Sequence, residues 1–172
     1  MEVDVQNYTM SCSDIISIVD IAITTFVGIW LAIGVQRSLT KNRYLREYFI
    51  NELNNIREEY RSFFVDIYSG ALSAKTIKDR LKIMSLRIGS FDKYIHQEYK
   101  INASLLKDAH VDFQQYITGD DEFNNQYNND TVTFSSNVKT ELLRKQGDIF
   151  EKITIRAIDI NSAHRKWKWP WK

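Results

Sequence analysis

The chain has 172 residues, with 23 Lys and Arg against 22 Asp and Glu, a formal net charge of +1, 44% hydrophobic residues and one cysteine. That length holds a membrane segment plus one modest domain with its own core, and excludes much more. The lone Cys12 excludes an intramolecular disulfide framework and fits a chain whose main part stays in a reducing compartment.

Residues 1–14 are read as an extracytoplasmic amino terminus. Residues 15–35 contain a single ionisable residue, Asp20, and at about 1.5 Å per residue they span roughly 30 Å, the thickness of a hydrocarbon core. This predicts a transmembrane helix. Acids rather than bases precede it and no clean cleavage site follows, so it is read as a retained span and not a signal peptide. Residues 1–35 carry four acids and no Lys or Arg, whereas Arg37, Lys41, Arg43 and Arg46 crowd the other flank. The positive-inside rule then places the amino terminus outside and the rest in the cytoplasm. From residue 36 onward, 23 basic side chains face 18 acidic ones, a net of +5.

Residues 36–163 read as a helical domain. Leu45, Phe49, Leu53, Ile56, Tyr60, Phe63, Phe64 and Ile67 recur at the helical period, and Gly70 is the expected stop. With no Pro or Gly from Gln36 to Ser69, the span is expected to run on into the cytoplasm as a long stalk. Ser73 caps a second helix with Ile77, Leu81, Met84 and Ile88 inward, predicted to end at Gly89. A shorter helix is expected from Phe91 to about Lys100. Another runs from Ala103 to Ile117 with Leu105, Leu106, Ala109, Phe113, Tyr116 and Ile117 inward, closed by Gly119. Gly119 to Asp130 has the composition of a surface loop, and Val132 to Phe134 of a short extended piece. A final helix carries Val138, Leu142, Leu143, Ile149, Phe150, Ile153, Ala157 and Ile160 inward. The fold class is all-α: one amino-terminal span continuing into a cytoplasmic bundle of four or five helices.

The chain lacks a glycine-rich phosphate loop, a cysteine pair for zinc and a nucleophile elbow, so it reads as a non-enzyme without a cofactor. Asp108, His110 and Asp112 cluster in sequence. Residues two apart on a helix diverge by about 200°, so these three are read as a solvated face and not a metal site. His96 and His164 read as surface histidines.

Lys75, Lys78 and Lys82 fall on one side of the second helix's apolar stripe, and Arg80 and Arg87 on the other. They fit a solvated face, anionic headgroups or a phosphate-rich ligand. The segment 164–172, HRKWKWPWK, alternates cations with Trp167, Trp169 and Trp171, and Pro170 stops regular helix. Its indoles fit stacking on single-stranded bases, insertion at headgroup level, or burial in a neighbouring subunit. The preferred ligand site combines Lys75, Lys78, Arg80, Lys82 and Arg87 with the three tail tryptophans.

Within the span, Ser17, Asp20, Thr24, Gly28 and Leu31 follow at spacings of three, four, four and three, a polar and small stripe on an apolar cylinder. A carboxylate near a span's centre costs about 2.5–3.5 kcal/mol, less near its end. Asp20 either reaches back to the outer headgroups or faces copies of itself across helix contacts or a cation pore. The second reading is preferred, since a functional stripe on one helix requires several copies.

The segment VGIWLAIGVQRSLTKNR, a single amino-terminal span, a helical stalk and a compact helical domain together resemble the membrane effectors of bacterial anti-phage defence systems. In layout the chain is similar to the Hailong effector, an oligomeric channel held in check by a nucleic-acid ligand on its cytoplasmic part. The resemblance implies a bacterial inner-membrane homo-oligomer, taken as a tetramer, that depolarises the membrane in abortive infection under control of a nucleotide or oligonucleotide. A membrane-anchored adaptor or immunity protein with a protein partner, and a holin-like lytic protein, are the alternatives.

Overall fold

The computed structural model describes residues 12–102 and 104–163. All of its regular structure is helical: α1 (Cys12–Ser69), α2 (Ala74–Tyr99), α3 (Leu105–Gly119), α4 (Asp121–Asn125) and α5 (Ser136–Ser162). No strand occurs among the described residues. By compactness the chain divides into residues 1–44 and 45–172.

In the first unit, every side chain from Val19 to Arg37 is exposed. This part of α1 is long and apolar enough to cross a membrane, with mean hydropathy 1.7 over its most apolar window and none of that window buried. A soluble helix that left Phe26 72% and Ile21 66% exposed would forfeit the burial that normally holds a helix in place.

In the second unit the apolar stripe of α1 is buried as its spacing predicts, from Phe49 through Leu53, Ile56, Tyr60, Phe63 and Phe64 to Ile67. Gly70 closes the helix at φ 67°, with the Gly70 N–H bonded to the Ile67 carbonyl and the Ala71 N–H to that of Asp66, the paired bonds of a Schellman cap. Ser73 then caps α2, its side chain accepting from the Thr76 N–H.

Helix α2 departs from expectation by continuing through Gly89. Ile88, Phe91 and Ile95 stay in phase on the buried face, and their packing outweighs the roughly 1 kcal/mol that a mid-helix glycine costs. The helix ends instead at Lys100, a left-handed cap at φ 60°.

The predicted loop after Gly119 contains α4, started by the Asp120 carboxylate, which accepts from the Glu122 and Phe123 N–H groups. Phe123 is fully buried, which is what folds an otherwise polar stretch onto the domain. Gln126 then holds the chain beyond it: its amide donates to the Thr133 carbonyl at 2.8 Å and its oxygen accepts from the Thr133 N–H at 2.9 Å. Val132 and Phe134 alternate inward without forming a strand, and the Val132 N–H donates to the Leu72 carbonyl.

Helix α5 opens on the Ser135 cap. Leu142, Ile149, Ile153 and Ile160 are buried, but Leu143, expected inward, is 57% exposed because it lies one residue out of phase with that stripe.

Contacts along the helices set their directions. Arg80 meets Asp66 and Arg87 meets Glu59 and Glu52, so α2 runs antiparallel to the second unit's part of α1. Lys139 meets Tyr68, Arg57 meets Thr154 and Arg46 meets Ala163, so α5 does the same. Helix α3 lies between them, antiparallel to α2 through Leu81–His110 and Asp92–Lys107. Phe113 of α3 packs at 5.0–6.2 Å on Phe64, Phe63 and Tyr60.

Candidate functional site

The span stripe comes first along the chain. At 100° per residue, Ser17, Asp20, Thr24, Gly28 and Leu31 fall within an arc of about 80°, and all five are exposed. A Cβ added at Gly28 would meet nothing within 4 Å. Asp20, Thr24, Gly28 and Leu31 thus present an exposed face that a neighbouring helix or lipid can meet.

The five cations of α2 separate into two groups. The Arg80 guanidinium donates to Asp66 at 2.5 Å and to Ser62, and lies over the Phe63 ring. Arg87 bridges Glu52 at 2.7 Å and Glu59 at 2.8 Å, and those hydrogen bonds hold it fully cationic while Arg87 pulls Glu52 below the usual carboxylate range. These two arginines fasten α2 to α1. Lys75 and Lys82 are exposed, and the Lys78 ammonium sits 4.4 Å from the centroid of the Tyr127 ring. An anionic ligand would therefore find Lys75, Lys78 and Lys82 more available than the two arginines.

Trp167, Trp169 and Trp171 lie outside the described residues, as does His164. The root of their segment is defined, however, because the Ala163 carbonyl accepts from Arg46 Nη2 at 3.4 Å. Arg80 docks on Asp66, twenty residues further along α1, about 30 Å at the helical rise. The tail root and the lysine end of α2 thus belong to opposite ends of the second unit.

Among the described residues, Asp92, His110 and Arg156 are the buried polar or charged side chains. His110 is 1% exposed, not on a solvated face. Its Nδ1 lies 2.6 Å from the Tyr60 hydroxyl and its Nε2 3.0 Å from the Leu81 carbonyl. A carbonyl only accepts, so Nε2 carries the proton and Nδ1 accepts from Tyr60. Burial lowers the pKa of this imidazole and raises that of the Tyr60 hydroxyl. Asp108 and Asp112 remain exposed on the opposite side of α3, and among the described residues no group of three His, Cys, Asp or Glu is placed to hold a metal ion.

Asp92 and Arg156, 1% and 0% exposed, form the second interior pair at 3.2 Å. Asp92 Oδ2 also accepts from the Lys107 N–H, in the first turn of α3, so a carboxylate from α2 does the capping that Ser104's own side chain does not. Burial pushes the Asp92 carboxyl up while Arg156 and the α3 N–H groups oppose it. All three residues lie on apolar stripes by spacing: His110 with Leu106, Phe113 and Ile117, Arg156 with Ile149, Ile153 and Ile160, and Asp92 beside Ile88 and Ile95.

Between the start of α3 and α5 is an open pocket of about 440 Å³ lined by Asn102, Ser104, Asp108, Asp112, Asp148 and Lys152, among others. Lys145 pairs with Asp112 at its edge. The pocket is acidic and shallow, with no nucleophile–base pair among these residues.

The chain matches no family model, no curated protein and no solved structure. Its functional reading rests on composition and side-chain geometry.

Proposed function

We propose that the chain is a single-pass membrane protein that self-associates through the Ser17–Leu31 stripe to form a cation-conducting channel, with a cytoplasmic helical bundle that takes an anionic nucleotide or oligonucleotide as its controlling ligand. Abortive infection in an anti-phage defence system is the setting this design fits. The observation that carries the reading is the stripe itself: small and hydroxyl side chains allow close helix approach, and an exposed carboxylate on an apolar helix is costly unless neighbours or water receive it. The basic flank Arg37, Lys41 and Arg43 supports a cytoplasmic second unit, and the exposed Lys75, Lys78 and Lys82 support a phosphate-bearing ligand.

Ion selectivity of the purified protein in planar bilayers tests the channel. Asp20→Asn should leave insertion and assembly intact and lower the preference for cations over anions, because a ring of charge is removed from a near-isosteric side chain. Thr24→Leu should lower the current, and Ile23→Leu, off the stripe, should change neither. Unchanged current in both stripe variants rejects the channel and leaves the helix as an anchor.

One observation favours a second reading, a membrane-anchored adaptor. Ile83, Leu86 and Tyr94, 58–67% exposed, share one face of α2 and are suited to a protein partner. A monomer by light scattering in detergent selects the adaptor over the channel.

A further inference from the structure

The apolar helix of the first unit carries a second face. From Ile21 to Tyr44 the chain holds no acid, and its cations are Arg37, Lys41 and Arg43. At 100° per residue, Phe26, Trp30, Ile33, Lys41 and Tyr44 all fall within about 40° of Arg37. All six are exposed, Phe26 at 72% and Trp30 at 49%. The stripe of Asp20, Thr24, Gly28 and Leu31 is centred about 140° away round the same cylinder. Its small side chains suit contact with another helix, and when that stripe turns inward the face holding Phe26, Trp30 and Arg37 turns outward to lipid.

The order of residues along this outward face follows the order of parts in a phospholipid. With Val35 as the last apolar residue of the span, Trp30 lies about 7.5 Å inside that boundary at the helical rise, and Arg37 and Lys41 lie about 3 Å and 9 Å beyond it. The headgroup layer is roughly 5–7 Å thick on each side of the hydrocarbon, so the two cations bracket the level of the lipid phosphates. Spaced at i and i+4, they are close enough to share one phosphate. Trp30 and Phe26 sit at the depth of the acyl chains. A lipid with net negative charge gains roughly fivefold in binding for each Lys or Arg it meets, whereas a zwitterionic lipid brings an ammonium that opposes them. A water-soluble phosphate would meet the cations and leave the rings unused, so lipid is the ligand that the whole face fits.

We propose that Phe26, Trp30, Arg37 and Lys41 form a binding site for one anionic phospholipid in the leaflet at the basic end of the span, with the phosphate between Arg37 and Lys41 and an acyl chain along Trp30 and Phe26. The inference rests on the membrane-crossing part of the proposed function and is independent of conduction.

Full-length protein with Trp167→Phe, Trp169→Phe and Trp171→Phe keeps Trp30 as its one tryptophan. It is reconstituted in phosphatidylcholine vesicles holding an equal low fraction of either phosphatidylglycerol or phosphatidylcholine brominated midway along the acyl chains. Brominated phosphatidylglycerol should quench Trp30 more strongly. The binding preference drawn from that difference should fall roughly fivefold with Arg37→Gln and as much again when Lys41→Gln is added. Arg43→Gln removes the same charge about 120° round the helix from the site and should leave the preference within about twofold. Equal quenching by the two lipids overturns the site and leaves the span. A preference that survives the double variant, or that Arg43→Gln lowers as much as Arg37→Gln does, overturns it too, since the attraction then belongs to no one face. Trp30 quenched by neither lipid, in protein stripped from the vesicles by an alkaline wash, overturns the span and the site together.

Discussion

The buried imidazole of His110 is neutral because its two nitrogens are already used, one as a donor to Leu81 and one as an acceptor from Tyr60. Its pKa in the folded protein lies below its ordinary value near 6.5. The unfolded chain therefore binds the proton more readily, and stability holds above about pH 7 and falls as the pH drops below about 6.5. Urea midpoints measured in detergent between pH 5 and 8 should show that slope. His110→Phe should flatten it, while lowering stability above about pH 7 by about 1–3 kcal/mol for the unpaired Tyr60 hydroxyl, a deficit that narrows as the pH falls. A slope that survives His110→Phe assigns the acid sensitivity elsewhere.

Asp92 and Arg156 are a second case at this scale. Arg156→Leu leaves a buried carboxylate whose compensating charge is gone, and should cost about 3–5 kcal/mol in the same denaturant assay. Asp92→Asn with Arg156→Leu should recover part of that loss, since asparagine can still accept from the Lys107 N–H. Helical spacing marks all three of these residues as inward-facing. What a sequence does not disclose is the partner on another helix, and without Tyr60 or Arg156 in view a polar residue on an apolar stripe is easily read as solvated.

Among the elements, helices were legible wherever apolar side chains repeat at the helical period, and their ends wherever a side chain caps them, as Ser73 does for α2. Their glycines were not equally legible, because Gly70 and Gly89 look alike in sequence and differ in backbone conformation. Gly89 lies in ordinary helix with open space around its Cβ position, whereas Gly70 is at φ 67° with Thr133 Cγ2 3.0 Å from that position. Gly89→Ala should stabilise by about 0.5–1 kcal/mol. Gly70→Ala should destabilise by at least as much, through left-handed strain and the crowded Thr133 methyl. Opposite shifts in thermal midpoint check the pair. Helix α4 was missed because a single buried ring, Phe123, holds it, and one residue in five sets no period.

For the molecule as a whole, the excess of cations after residue 35 governs how it meets polyanions. If Lys75, Lys78 and Lys82 each neutralise a phosphate, changing all three to Gln should reduce the magnitude of the logarithmic salt slope of oligonucleotide binding by about two. Fluorescence anisotropy at several salt concentrations reads that slope, and an unchanged value removes these lysines from the ligand site. The antiparallel seating of α5 on α1 has a consequence of another kind, in time. Arg46 and Ala163 are 117 residues apart. At ribosomal speeds of roughly 5–20 residues per second, Arg46 waits on the order of ten seconds for its partner to be made. During that interval the nascent chain displays Phe49, Leu53 and Ile56 with α5 still unmade, so translation rate and chaperone supply govern how many molecules close correctly.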